Sequence, residues 1–74
     1  MTPFEKFGAA VRSRREHLGY SQEKLAEFSG MHRTYIGGIE RGERNVSLRN
    51  ILKLCESLKT KPSDLLKVLD EPDE

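Results

Sequence analysis

Seventy-four residues, 35% hydrophobic and 34% charged, allow one small domain and too little core to be secure alone. A lone cysteine excludes an internal disulfide, and two separated histidines match no zinc spacing, so self-association is the expected support and a reducing cytosol the expected setting. The net charge of +1 argues against an indiscriminate polyanion binder, but it is unevenly spread: residues 1–49 carry nine Lys/Arg and six Asp/Glu, residues 50–74 four and six.

In chain order, Thr2-Pro3-Phe4-Glu5 has the form of a capping box with proline at the first helical position, so a first helix starts here. Its apolar side runs Phe7, Ala10, Val11 and Leu18, and Gly19 stops it. Ser21 caps a second helix, with Tyr20 and Leu25 at the spacing of a hydrophobic staple. Gly30 ends that helix, and Gly30-Met31-His32 leads into a third, closed by Gly42. Glu43-Arg44-Asn45-Val46 reads as a polar loop. Ser47 caps a fourth helix, with Val46 and Ile51 as staple and Leu48, Ile51, Leu52, Cys55 and Leu58 as the expected buried stripe. Pro62 opens a fifth helix bearing Leu65, Leu66, Val68 and Leu69, and Asp70 to Glu74 is too charged to pack and is expected to fray. No strand pattern, membrane-length apolar run or signal segment is visible, so the expected class is all-α, soluble and cytoplasmic.

The third helix is the informative one. At about 100° per residue, Ile36 and Ile39 fall on one side, flanked by Tyr35 and Glu40. Arg33, Thr34, Gly37, Gly38 and Arg41 fall on the other. A helix that hides isoleucines and presents arginine, threonine and bare backbone suits the DNA major groove. Arg33 and Thr34, at its N-terminal end, are the expected base readers: arginine grips guanine O6 and N7, and threonine meets thymine's methyl or another edge. Gly37 and Gly38 each cost the helix about 0.5–1 kcal/mol relative to alanine, a cost that close approach to DNA or to a neighbouring helix offsets. Both are grouped with the base-reading set.

The segment from Arg12 to Leu58 resembles the Cro/C1-type (XRE-like) helix-turn-helix family of the lambdoid phage repressors, and especially small bacterial regulators that include restriction-modification controllers. Gly19 to Ala26, Arg33 to Ile36, Ile39 to Gly42 and Arg44 to Leu48 carry the likeness. It implies a five-helix, lambda-repressor-like domain over residues 1–70, with the helix-turn-helix at about 21–42, a dimerisation helix at about 62–70 and an acidic tail at 71–74. It places Ser21 and Gln22 near a DNA phosphate at a helix start, where backbone N–H groups favour an anion. Arg44, Asn45 and Ser47 lie along the DNA backbone in the family, with Arg41 between groove rim and solvent. Tyr35 is either a phosphate contact or purely structural. The family's matching pair implies an ion pair between Arg15 and Glu40, and Arg14 departs from the leucine common at its position. Glu23 and Glu27 share a helix face that in phage activators touches RNA polymerase; they equally suit two solvated glutamates.

Leu65, Leu66, Val68 and Leu69 exceed what one short helix needs for its own core and are the expected homodimer interface. Two such domains on a two-fold axis would set recognition helices about 34 Å apart on an inverted repeat. The expected protein is therefore a dimeric transcriptional regulator on double-stranded DNA, with no cofactor or metal and no enzymatic activity. Cys55 reads as a small core residue, and neither His17 nor His32 has a catalytic partner at recognisable spacing. The alternative is an antitoxin-like module that docks a toxin, for which the acidic end is the one free segment.

Overall fold

Helices need outside partners for the first N–H groups of each initial turn, and short polar side chains supply them here. The computed structural model describes residues 1–72 and is helical throughout, with no strand among the described residues. Helix α1 (Pro3–His17) starts behind Thr2, whose Oγ1 accepts from the Glu5 amide at 3.1 Å. The Thr2 amide donates back to Glu5 Oε1 at 2.8 Å, and this bond above all holds the Glu5 carboxyl below the usual carboxylate range. Ser21 and Ser47 cap α2 (Gln22–Ser29) and α4 (Leu48–Ser57) by accepting from the Lys24 and Asn50 amides. Between them α3 (Arg33–Glu40) begins at His32, which makes no side-chain cap. The fifth segment is shorter than its leucine spacing predicts: α5 spans Pro62–Leu66, and Lys67–Asp70 tightens into a 3-10 turn.

One apolar core joins all five helices. Val11, Leu25, Ile36, Leu54 and Leu58 are wholly buried in it, with Phe7, Ile39, Cys55 and Leu65 nearly so. Burial pushes the Cys55 thiol up, away from reactive thiolate. The α4 stripe differs from expectation: Leu54 takes a core position, while Leu48 (68% exposed) and Leu52 (48%) face outward and Ile51 is half-buried. The apolar residues of α4, from Leu54 round to Leu52, span one arc of about 160°, wider than the part the core covers. Tertiary contact with α2 and α5 selects the face carrying Leu54, Cys55 and Leu58. Leu65 is likewise part of the protomer's own core rather than of a dimer surface, and Leu66 and Val68 are half-buried. Leu69 alone of that set is exposed, because the 3-10 turn rotates it outward.

Two contacts explain how α1 holds its neighbours. Arg14 donates from Nε to the Leu58 carbonyl at 2.9 Å and from Nη2 to the Lys59 carbonyl at 3.1 Å. It thereby caps the end of α4, where carbonyls lack intrahelical donors and a cation is favoured. At the start of α1, Lys6 Nζ donates to the Glu71 carbonyl at 2.8 Å. The 3-10 turn carries order through Asp70 and this bond reaches Glu71, while Asp73 and Glu74 lie outside the described residues.

The α1–α3 seam is closer still. A Cβ on Gly8 would land on the Ile39 carbonyl oxygen and within 2.7 Å of the Glu40 carbonyl oxygen. A Cβ on Gly42, whose φ of +77° already favours glycine, would come within 2.7 Å of Glu5 Cα. Backbone meets backbone along this line, which fixes how α3 is turned.

Candidate nucleic-acid interface

The inner side of α3 is anchored by charge as well as by isoleucine. Arg15 donates to Glu40 through Nε (2.7 Å to Oε2) and Nη2 (3.0 Å to Oε1), and through Nη1 to the Tyr20 carbonyl at 2.8 Å. The side chains are 11% and 3% exposed, so both charges are nearly out of water and survive only because each is fully bonded. The Glu40 hydrogen bond raises the Arg15 pKa, keeping the guanidinium charged. Gln22 joins the network, donating from Nε2 to Glu40 Oε1 at 3.1 Å. One amide N–H of Gln22 is thus committed internally and the second can point outward.

The outer side of α3 is a shallow recess lined by Gln22, Arg33, Thr34, Gly37 and Arg41. Arg33 and Thr34 are exposed on the helix's first turn. Arg33 Nε lies 3.7 Å from Glu23 Oε1 across the turn, a solvent-screened pair that exchanges easily. The structure corrects one expectation about this face. Gly37 and Gly38 are buried rather than offered as bare backbone, because two arginine side chains fold back over them. A Cβ on Gly37 would sit 3.0 Å from Arg41 Nη1, and one on Gly38 would sit 3.0 Å from Arg44 Nε. The glycines accordingly act as seats for cations.

Each cation has a second restraint. Arg44 lies over the Tyr35 ring at 5.8 Å, and the Tyr35 hydroxyl accepts from Asn50 Nδ2 at 3.2 Å. Tyr35 is half-buried against the core, so its hydroxyl stays at the surface with its own proton available to donate. Arg41 donates to Glu43 from Nε at 3.0 Å and from Nη2 at 3.2 Å. That side-chain bond raises the Arg41 pKa and lowers that of Glu43. Ser21, Asn45 and Ser47 are exposed, the two serines at helix starts.

The helix-turn-helix family profile matches residues 11–65, which spans α1 to the middle of α5. The chain belongs to the Cro/C1-type helix-turn-helix family. Control protein C.SmaI of Serratia marcescens is 54% identical over 56 residues, covering 76% of this chain and 67% of that protein. Control protein C.BamHI of Bacillus amyloliquefaciens is 54% identical over 61 residues, covering 81% and 75%. The crystal structure of the restriction-modification controller protein C.AhdI from Aeromonas hydrophila matches with a TM-score of 0.82 at 53% identity, covering 84% of this chain and 94% of that one. Cro/C1-type proteins are transcription regulators, not enzymes.

Within this family framework, the sequence offers no contact for three residues. Glu43 was merged into a polar loop, although a carboxylate two residues after an arginine is within reach of it. Asn50, third in α4, carries no sequence signal for its contact with Tyr35 fifteen residues earlier. Arg14 shows only as a polar residue at a position where an apolar one is common. On α2, Glu23 faces Arg33, and Glu27 lies 3.9 Å from Lys24, so neither glutamate stands alone. Phe28, 52% exposed, meets Tyr20 edge-on at 5.2 Å, which draws the Tyr20 ring toward α2. No described helix is long and apolar enough to cross a membrane, and no metal-binding cluster occurs among the described residues.

Proposed function

We propose that this chain is a cytoplasmic, sequence-specific DNA-binding regulator of transcription that acts as a homodimer on an inverted-repeat operator, as a restriction-modification controller or autoregulator. The observation that carries this reading is the outer face of α3, where three arginines (Arg33, Arg41 and Arg44) and Thr34 gather around a helix whose opposite face is locked into the core. In this reading Arg33 grips a guanine edge and Thr34 touches a neighbouring base. Ser21, Gln22, Tyr35, Arg41, Arg44, Asn45 and Ser47 hold the sugar-phosphate backbone and set register. The cap hydroxyls of Ser21 and Ser47 accept from amides and still have a proton to donate to a phosphate oxygen. Gly37 and Gly38 enter through the arginines they seat.

The dimer is proposed on the apolar side. Phe4, Val46, Ile51 and Leu69 line a groove whose walls are nearly all carbon, and exposed Leu48 and Leu52 flank Ile51 on α4. That surface belongs to the same 1–70 domain, and pairing it about a two-fold axis supplies the self-association the small core calls for. Contact with RNA polymerase is part of the same reading: when Arg33 turns to DNA it releases Glu23, leaving Glu23 and Glu27 as an acidic face on α2.

Selection of bound duplexes from a random pool tests the proposal. The expected product is a palindrome with half-site centres about ten base pairs apart. A pool that shows no enrichment, or an enriched motif without symmetry, overturns it.

A further inference from the structure

We propose that Glu43 is a specificity-determining residue for DNA binding: it positions Arg41 across the Gly37 backbone so that the guanidinium's free edge joins the recess beside Arg33 and Gln22. The inference rests on the DNA-binding reading and adds to it a residue that touches no DNA. Arg41 sits just past the end of α3, where an unrestrained arginine would sweep solvent. Glu43 occupies two of its nitrogens, Nε and Nη2, in a parallel fork. The nitrogen it leaves over is Nη1. That atom is the one lying above Gly37, 3.0 Å from where a Cβ would be, and Arg41 lines the recess with Gln22, Arg33 and Thr34. The fork and the missing side chain therefore act on opposite edges of one guanidinium.

This arrangement has a consequence for selectivity. Holding a flexible cation in one geometry favours the DNA that presents an acceptor oxygen there and gives little to DNA that does not. The Glu43 carboxylate also opposes the general pull of phosphates, which lowers affinity for all sequences alike. The common loss cancels in the ratio of operator to random-sequence affinity, so Glu43 raises that ratio through its hold on Arg41 alone. Because the Arg41–Glu43 pair is well exposed, at 59% and 58%, its loss leaves the fold intact.

A double-mutant cycle in full-length protein tests this, with operator and random duplex affinities measured over a salt series for wild type, Glu43→Gln, Arg41→Ala and the double variant. Glu43→Gln is expected to tighten random-duplex binding and to lower the operator-to-random ratio by about tenfold. In the Arg41→Ala background the same change should raise both affinities equally and leave the ratio alone. A ratio that is unmoved by Glu43→Gln, or that falls equally with and without Arg41, overturns the inference. Failure of the wild type to select any operator would instead overturn the DNA-binding reading itself, so the two failures are distinct.

Discussion

Helix α3 carries a doubly hydrogen-bonded arginine–glutamate pair on each side, and the two have opposite uses. Arg15–Glu40 is almost dry, meets a third and a fourth partner in Tyr20 and Gln22, and sits where Gly8 and Gly42 let α1 and α3 touch. Arg41–Glu43 is wet, local in sequence and sits where Gly37 gives room to a side chain rather than to a backbone. Bond lengths in the two forks are similar, at 2.7 and 3.0 Å against 3.0 and 3.2 Å. Burial is what separates them. A desolvated pair holds the architecture because breaking it strands a charge, whereas a solvated pair adds little to stability and leaves one edge of its arginine open to DNA.

The sharpest way to break that contrast is Glu40→Ala, which leaves Arg15 buried without its partner. A loss of about 3–5 kcal/mol is expected, lowering Tm by about 12–40 °C in a thermal melt. Any residual operator affinity should scale with the folded fraction. Gly8→Ala should rank next, at about 1–3 kcal/mol or more, because a methyl there meets immovable carbonyls. Chemical denaturation measures it, and a neutral result would mean the α1–α3 seam can open.

On the outer side the expected losses move from folding to binding. Arg33→Ala should leave Tm alone and cost about 1–3 kcal/mol of operator affinity, relaxing preference at one base pair in a repeated selection. Arg44→Ala should weaken every duplex alike and reduce the slope of log affinity against log salt by about 1. Identical, sequence-independent losses from both would erase the division between reader and anchor. The smallest expected effect is also the most discriminating. Gly37→Ala should stabilise the fold by about 0.5–1 kcal/mol, since Arg41 is a flexible neighbour that can yield, while weakening operator binding. An alanine that raised Tm and left operator affinity untouched would remove the seat from the argument.

The chain sequence determined its helices almost completely, because their signals are local. Thr2, Ser21 and Ser47 sit at helix starts where their oxygens reach amides three residues on, and Gly19, Gly30 and Gly42 adopt the left-handed backbone at helix ends. The split of α3 into an isoleucine side and an arginine side was also legible, since helical periodicity alone sorts those residues. What only the tertiary structure decided was any question with two locally acceptable answers. The apolar arc of α4 is wider than the core can cover, and packing against α2 and α5 placed Leu54 inward and Leu48 and Leu52 outward. Leu65 looked like surplus until α1 and α4 closed over it. The glycine pair looked bare because periodicity locates a Cα but not the long side chains of Arg41 and Arg44 that fold back above it. Local hydrogen bonding is written in neighbouring letters, while the choice among equivalent apolar faces belongs to the assembled core.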